Sequence, residues 1–498
     1  MTRLLVVGLG PLLAPGTRYL GGQCLRTWQF TRPLIAAGHV VTLVTCPVDA
    51  ALPAENVSRV GDGVEMLEYE GFAYQAFRHR SMRDQVWHLQ NLLRDEPFEA
   101  IVAVNTYAAE LVGHLATTLP VWADLNGWIM AEAQARAAWR QCDDDLRWNW
   151  RQEHTVAWRA DRFSTVSRAQ RAALLGELAA IGRLDSANFG TELVVPVPNA
   201  AAPPHLAIGR TRLEAGQPLA TPKGTWVPPG APVVLLAGGF NYWTDPAALL
   251  RALEAALHAY PAAHAVVTGG AIKGFGEEVF ERFSQATAQS PVRERIQLLG
   301  WLPTDDMLAW FGAATVGLSF DTPSLEAEFG ARNRLTNMAA SALAAVATRG
   351  PEVATDLEQH RAGWWVNAGD ADALAQNLIA ALSDPAEAFA RGRRAFDMAS
   401  SLYHDATTVA AMVQWAAEPT HAPDHARRIE RLTAKSTDGQ RPAIPPHHWY
   451  SEPLHSMHEY ESMRPGEDLG VIRHEARCYH LLRNKWPLRL LRRLARRR

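Results

Sequence analysis

The chain has 498 residues, a formal net charge of −3 and an apolar content of 48%. These values are typical of an ordinary globular protein with about two or three domains, and they lack the overall basic surplus of a nucleic-acid-binding protein. The four cysteines lie far apart, with no CxxC pair and no framework spacing, which favours a reducing compartment and small buried thiols.

The beginning of the chain predicts a buried strand rather than a targeting segment. The apolar run Leu4–Val7 stops at Gly8, so it is too short for the core of a secretory signal. No apolar run approaches the ~20 residues that span a bilayer. We therefore expect a cytoplasmic protein.

Short apolar strands alternate with helical segments over the first 200 residues, an order typical of a parallel sheet. Strands are predicted at 3–7, 40–45, 100–104, 121–124, 162–166 and 193–197, and helices at 23–37 and 170–181. Ser167 is expected to cap the second helix, because a serine oxygen can accept a hydrogen bond from the free amides of a helix start.

A proline-rich stretch and a second α/β run follow. Six prolines between 201 and 230 leave little room for regular structure, so a linker is predicted there. Four strands are predicted after it, at 233–237, 265–268, 296–299 and 315–320. The first three strands end at Gly238-Gly239, Gly269-Gly270 and Gly300. Ligands of parallel sheets bind beyond the carboxyl ends of the strands, so these breaks predict the ligand-binding edge.

Two late helices complete the second run. They are predicted at 372–382 and at 386–417, the latter broken near Tyr403, and the last part is expected to cross back onto the first domain. Beyond 418 the chain is polar and rich in histidine and proline, which we interpret as a linker rather than a metal site.

Leucines among arginines close the chain over 488–498. In a helix the leucines would cluster on one side, surrounded by guanidinium groups, and such a segment binds anionic lipid surfaces. A partner-binding or disordered basic end is the alternative. With the lipid interpretation, we expect the protein at the inner face of the plasma membrane.

Taken in order, several short motifs resemble the GT-B glycosyltransferases, and among them family 4, the retaining nucleotide-sugar transferases. The motifs are Gly21-Gly22, Gly38-His39-Val40, Asp124-Leu-Asn-Gly127, Thr165-Val-Ser167 and Val197-Pro-Asn199, then Gly238-Gly239, Gly269-Gly270, Gly300-Trp-Leu-Pro303 and Glu328-Phe-Gly330. The resemblance covers residues 1–418.

The resemblance implies a two-domain architecture of class α/β. Two Rossmann-like, doubly wound domains would face a cleft, with the acceptor on 1–200 and the nucleotide sugar on 231–418. Between them lies the linker 201–230, and 419–498 forms the tail.

Three residues are candidates for catalysis. The resemblance implies that Glu328 holds sugar hydroxyls near the reacting carbon. It also implies that Asn126 contacts the transferred sugar at a position where family members often carry histidine. Asp124 lies at the same strand end and is grouped with them.

The segment after Glu328 favours a pyrophosphate site. The free amides and the positive dipole end of the predicted helix start suit an anion. Gly330 lets the backbone come close to a ligand. Arg332 and Arg334 offer guanidinium groups that match phosphate oxygens. A solvated helix face is the alternative for both arginines. The candidate donor-binding residues are Gly21, Gly22, Gly238, Gly239, Asn241, Lys273, Trp301, Leu302, Phe329, Gly330, Arg332, Asn333, Arg334 and Thr336.

Besides Asn126, two further departures from the family pattern affect donor binding. The second family glutamate falls on Thr336, and 239–245 contains neither of the basic residues that commonly follow the first glycine loop. Lys273 is the nearest spare cation. Either the arginines after Glu328 replace that pair, or donor binding is weakened. Because amides and arginines would hold the donor, no metal or other cofactor is expected.

The predicted helical region 131–160 contains four tryptophans that allow two interpretations, core packing or a sugar-stacking acceptor surface. They are Trp139, Trp148, Trp150 and Trp158.

The leading hypothesis is a retaining glycosyltransferase that acts on an envelope glycan or glycolipid. A pseudo-transferase that binds glycan or assembles partners is the non-enzyme alternative, supported by the missing glutamate, basic pair and histidine. A nucleotide-sugar epimerase would require acid/base carboxylates and histidines around the cleft, and the sequence offers no convincing set. Donor turnover by the purified protein separates these hypotheses.

Overall fold

The computed structural model describes residues 1–12, 21–48, 63–78, 81–222, 227–271 and 276–433. Residues 1–79 and 92–435 form one compact unit, which contains both sheets. A second unit consists of 80–91 and 436–498, and of these the structure describes 81–91.

The first sheet has eight strands in the order β3-β4-β2-β1-β5-β6-β7-β8. All its neighbouring pairs are parallel except β3 with β4. The strands are β1 Arg3–Gly10, β2 Val40–Pro47, β3 Val64–Tyr69, β4 Phe72–Phe77, β5 Ala100–Val104, β6 Val121–Leu125, β7 Arg162–Thr165 and β8 Val194–Pro196. The central strands β5 and β6 are buried along their whole length, as expected for a parallel sheet covered on both faces.

The second sheet has six parallel strands in the order β11-β10-β9-β12-β13-β14. They are β9 Val233–Gly239, β10 His264–Gly270, β11 Ile296–Gly300, β12 Val316–Ser319, β13 Ala345–Thr348 and β14 Gly363–Val366. The predicted α/β class and the two parallel-sheet domains are confirmed. Sequence reasoning missed β13, β14 and the hairpin β3–β4.

Helices alternate with these strands. They are α1 Gly22–Ala36, α2 Met82–Asp95, α3 Thr106–Gly113, α4 Ile129–Arg140, α5 Asp144–Arg159, α6 Arg168–Ala180, α7 Pro203–Ala215, α8 Pro246–Ala259, α9 Glu277–Ala288, α10 Thr304–Ala313, α11 Leu325–Phe329, α12 Asn333–Ala340, α13 Glu352–Gln359, α14 Ala371–Ser383, α15 Pro385–Leu402, α16 Asp405–Thr408, α17 Ala410–Ala417 and α18 His425–Thr433. Ser167 caps α6 by accepting a hydrogen bond from the Gln170 amide, as predicted. No helix in the described part of the chain is both long enough and apolar enough to cross a membrane.

Helix α7 occupies half of the predicted linker, so the expectation of irregular structure over 201–230 is wrong there. Its two prolines stand at the helix start, where a missing N–H costs nothing. The helix packs closely on the second domain, since a Cβ added at Gly209 would lie 2.3 Å from the Ala340 carbonyl oxygen. Arg212 donates from the same helix to the carbonyl oxygen of Gly312 at 2.8 Å.

The chain returns to the first domain after α15, as predicted. Met412 and Trp415 of α17 join the core of the first domain, and the Trp415 ring lies 5.6 Å from that of Trp122. Asp405 pairs with Arg32 of α1. The crossing therefore fastens the end of the second domain to the helix that opens the first.

The segment after 418 is also folded onto the first domain. Asp424 pairs with the fully buried Arg183 at 2.8 Å, and Arg428 of α18 pairs with Asp161. Both pairs are nearly inaccessible to water, so residues 419–433 belong to the folded unit. The rest of the predicted tail lies outside the described residues.

Candidate functional site

Two glycine pairs lie side by side where β9 and β10 end. Gly238 stands opposite Gly269, and Gly239 opposite Gly270. Gly238 and Gly269 have φ values of 103° and 95°, and a Cβ at Gly269 would lie 2.4 Å from the Gly238 carbonyl oxygen. Only glycine fits at these two positions, so the surface of this sheet edge consists of backbone atoms.

Arg334 reaches this edge from α12. Its Nη2 donates to the Gly239 carbonyl oxygen at 2.7 Å, and its guanidinium would lie 3.7 Å from a Cβ at Gly238. Burial lowers the pKa of Arg334 from its ordinary value, and the positive charge of Arg332 lowers it further, whereas Asp321 opposes the shift. The predicted Arg334 therefore lies at the glycine edge.

The starts of α1 and α12 meet at the same place, one from each domain. A Cβ at Gly22 would lie 1.8 Å from the Asn333 Nδ2. Among the described residues, no side chain caps either helix start. Two positive dipole ends with free amides, beside an arginine, favour an anion in this cleft.

Arg332 is not available to a phosphate in the predicted way, and this prediction is corrected. Its Nε donates to Asp321 at 2.9 Å, and its Nη1 donates to Glu326 at 2.8 Å. Its Nη2 donates to the Glu326 carbonyl oxygen. A guanidinium only 5% exposed and held by two carboxylates serves to fold the loop between α11 and α12.

The two glutamates of α11 differ in environment. Glu328, the predicted catalytic carboxylate, is exposed, whereas Glu326 is 2% exposed. One oxygen of Glu326 accepts from Arg332, and the other is buried with no hydrogen-bond partner in the part of the chain that the structure describes. Burial raises the pKa of Glu326 to about 7 despite Arg332. The carboxylate that the fold encloses is thus not the one that the sequence predicted.

Asp124 is not placed for catalysis, so that prediction is also corrected. Its carboxylate is fully buried and receives both Nε and Nη2 of Arg26, at 2.9 and 2.7 Å. Ser164 donates to it as well, at 2.7 Å. Through Arg26, Asp124 fixes α1 and hence the position of Gly21-Gly22.

Asn126 follows Asp124 and sits in a short chain of hydrogen bonds. Its Nδ2 donates to Asn105 Oδ1 at 3.1 Å, and Asn105 Nδ2 donates to the Gln23 carbonyl oxygen at 3.0 Å. The Asn126 Oδ1 has no hydrogen-bond partner among the described residues, so it can accept from a ligand hydroxyl. Sequence reasoning missed Asn105, whose φ of 78° is unusual for a residue other than glycine.

The remaining predicted residues lie around this edge with differing exposure. The Trp301 Nε1 donates to the Ala271 carbonyl oxygen after β10, whereas the half-buried Leu302 packs on the core. Phe329 lies 5.0 Å from the ring of Trp128 in the first domain. Thr336 is 2% exposed, so its side chain offers no open face for a ribose.

Asn241 is half-buried in the loop after Gly239, and Gly330 caps the carboxyl end of α11. A Cβ at Gly330 would lie 2.0 Å from Glu326 Oε1, so glycine is required there. Lys273 lies outside the described residues.

One cluster in the described part of the chain combines histidine and carboxylate ligand atoms, namely Asp161, His421 and His425. Asp161 already accepts from the amides of Val121 and Ala422 and pairs with Arg428. Its oxygens are therefore engaged in docking the segment after 418, and an adjacent arginine opposes a cation.

Both halves of the chain match families of known proteins. Residues 21–185 match the family model described as a glycosyl transferase 4-like domain, and residues 231–384 match that of the glycosyl transferases group 1. The chain is a GT-B glycosyltransferase. A search of curated proteins found no match.

Solved structures share the fold of this glycosyltransferase. Sucrose-phosphate synthase from Thermosynechococcus elongatus superposes with a TM-score of 0.60 at 15% identity, covering 83% of this chain and 98% of its own. Anabaena HepE in complex with UDP-glucose gives 0.55 at 15% identity, with 84% and 99% covered. WaaG, a glycosyltransferase involved in lipopolysaccharide biosynthesis, gives 0.54 at 14% identity, with 82% and 98% covered. At these identities the likeness shows the fold.

Proposed function

We propose that this glycosyltransferase moves a sugar, with retention, from a nucleotide sugar to an envelope glycan or glycolipid. The observation that carries the donor assignment is the convergence of three positive features on the Gly238-Gly239 edge, namely the starts of α1 and α12 and the guanidinium of Arg334. A diphosphate is the group that such a cleft suits best. The HepE complex with UDP-glucose and the role of WaaG in lipopolysaccharide biosynthesis support the donor class and the envelope acceptor.

Within this proposal, Arg334 and the helix-start amides hold the diphosphate. Asn126 accepts a hydrogen bond from the transferred sugar through its Oδ1. The sugar-binding carboxylate is assigned to α11, where the exposed Glu328 and the buried Glu326 are two residues apart. No metal is needed, because the donor charge is met by amides and arginine; turnover should therefore survive EDTA.

The decisive experiment measures binding of UDP, GDP and ADP by calorimetry and turnover with the matching sugar nucleotides. Arg334→Gln should weaken diphosphate binding, since a charge-assisted hydrogen bond contributes about 1.5–3 kcal/mol. Arg251→Gln, which changes an exposed arginine on α8, is the matched control. If the wild-type protein binds none of the three diphosphates, the proposal fails. Binding without turnover would instead support the pseudo-transferase.

A second pair of variants assigns the carboxylate. Glu328→Gln and Glu326→Gln each replace a carboxyl group by an amide and keep the shape of the side chain. The variant that lowers kcat while leaving the affinity for free diphosphate unchanged identifies the carboxylate that acts on the sugar. Equal losses in turnover and diphosphate affinity would place that residue in the nucleotide pocket instead.

A further inference from the structure

Helix α4 belongs to the first domain by sequence but packs on the second. Ala135 and Trp139 are half-buried against the hydrophobic core of the second domain. The guanidinium of Arg282, on α9, lies 4.6 Å from the centre of the Trp139 ring. One face of α4 therefore contacts the second domain across the cleft.

The end of α4 contacts the loop that follows β9. Arg140 lies over the ring of Tyr242 at 5.3 Å, and its Nε lies 3.1 Å from the Glu278 carboxylate. Tyr242 is three residues beyond Gly239, whose carbonyl oxygen accepts a hydrogen bond from Arg334. The last turn of α4 is thus fixed beside the proposed donor edge.

The beginning of α4 contacts α11. Trp128, the residue before the helix, lies 5.0 Å from the ring of Phe329, and Glu132 is close enough to Glu326 for the charge of Glu326 to add to the effect of burial in raising the pKa of Glu132. Glu132, Arg136 and Arg140 are spaced four residues apart, so they follow one another along a single face. Arg136 must therefore face the second domain between α11 and the loop of Tyr242.

If the loop after β9 binds a diphosphate, it needs a positively charged side chain from another part of the chain. Residues 238–245 contain no lysine or arginine. Arg334 donates a hydrogen bond to the Gly239 carbonyl oxygen at the start of this loop, whereas Arg332 is held by Asp321 and Glu326. A diphosphate carries more than one negative charge, so a second arginine would match it better than Arg334 and the helix-start amides alone.

We propose that Arg136 is a second diphosphate ligand, delivered to the donor edge by α4 from the opposite domain. This inference rests on the proposed function, because it concerns the same nucleotide. Burial, and to a smaller extent the neighbouring Arg140, lower the pKa of Arg136 from its ordinary value, whereas Tyr242 and Glu132 oppose this shift, so the guanidinium lies close to both of these residues. Since Arg136 and Arg334 belong to different domains, a diphosphate between them ties the two domains together.

The test compares UDP with UMP, using the tightest-binding base if GDP or ADP binds better. Arg136→Gln should lower diphosphate affinity at least tenfold and leave monophosphate affinity within about twofold, whereas Arg136→Lys should recover part of the loss. Arg147→Gln, which changes an exposed arginine on α5, is the matched control and should bind as the wild type does. Hydrogen exchange of 129–140 should slow when UDP is added to the wild type, but not in Arg136→Gln.

Different outcomes separate the two proposals. If the wild type binds no diphosphate, the proposed function fails. If Arg334→Gln weakens binding and Arg136→Gln does not, the donor edge stands and the role of Arg136 is overturned. Equal losses for UDP and UMP, with unchanged exchange in 129–140, would also overturn it, because they indicate a packing role. Should Arg136→Gln not fold, Arg136→Lys must still show a loss confined to the diphosphate.

Discussion

Asn105 combines an unfavourable backbone conformation with two side-chain hydrogen bonds. Its φ of 78° and ψ of 152° lie in a region that favours glycine, and holding another residue there costs about 1–3 kcal/mol. Its side chain links Asn126 to the first turn of α1. The strain is therefore stored where the proposed sugar contact is positioned.

Asn105→Gly separates stability from activity. Glycine relieves the backbone strain, which offsets the loss of two hydrogen bonds worth about 0.5–1.5 kcal/mol each. We expect a melting temperature close to that of the wild type, together with a clear fall in kcat because Asn126 is no longer held. Asn105→Ala keeps the strain and loses the bonds, so it should be less stable than the glycine variant. A glycine variant with full activity would refute the positioning role.

The sequence predicted the positions of the candidate residues better than their contacts. Glycine breaks after apolar strands marked the sheet edge at Gly238-Gly239 and Gly269-Gly270, and the structure places Arg334, predicted from the segment after Glu328, at that edge. The misassignments at Asp124 and Arg332 have one cause, namely partners that sequence spacing does not reveal. Arg26, which binds Asp124, is 98 positions away.

The contact between α4 and α11 buries carboxyl groups away from water. Burial, and then the charge of Glu326, raise the pKa of Glu132 to about 8, opposed by Arg136 and Arg332. Glu177, whose oxygen accepts from the Trp128 Nε1, has a pKa raised to about 7 by burial. In the folded protein these groups hold protons that the unfolded chain releases near pH 4.5.

This difference predicts the sign of a pH effect. A carboxyl whose folded pKa is raised contributes stability that is complete below its ordinary pKa and is lost as pH rises through the folded value. For Glu132 the window runs from about pH 4.5 to about pH 8. Glu132→Gln mimics the protonated form, so its melting temperature should rise relative to that of the wild type as pH increases from 5 to 8. A constant difference over this range would contradict the assignment. Both proteins carry the same histidines, so histidine titration contributes equally to both melting temperatures and cancels in their difference.

The segment 419–433 provides a second test at the same scale. A chain ending at 433 should keep the stability of the full protein, because the pairs Arg183–Asp424 and Asp161–Arg428 remain. A chain ending at 418 leaves Asp161 and Arg183 buried without these partners, and breaking a buried pair costs about 3–5 kcal/mol. Denaturant unfolding of the two truncated chains measures the difference. Equal stabilities would show that the segment is not part of the folded unit.

The elements could be predicted where the periodic signal is strong. Strands β5 and β6 are continuous apolar runs, and the prediction placed them within one residue. Helix α7 was missed because six prolines outweighed its helical residues, although two of them stand at the helix start, where proline is accepted. The hairpin β3–β4 was missed at the edge of its sheet, where polar residues such as Glu65 and Gln75 interrupt the apolar pattern.

For the whole molecule, the proposed lipid-linked acceptor raises the question of how the cleft is kept near a membrane. Residues 488–498 carry leucines among arginines and lie outside the described residues. A basic segment gains roughly 1 kcal/mol per Lys or Arg near an anionic surface, and a few leucines add a modest apolar contribution. Attachment should therefore be peripheral and reversible by salt.

Deleting 487–498 tests this role in the otherwise complete protein. We expect the full chain to co-sediment with anionic phosphatidylserine vesicles at low salt, to be released at high salt, and not to bind neutral vesicles. The deletion should abolish co-sedimentation and leave transfer to a soluble acceptor analogue unchanged, because the cleft lies within residues 1–433. Replacing Arg496, Arg497 and Arg498 by glutamine should give an intermediate result, since the leucines remain. If full-length and shortened proteins sediment alike, the membrane role is wrong and the segment is better explained as a partner-binding end.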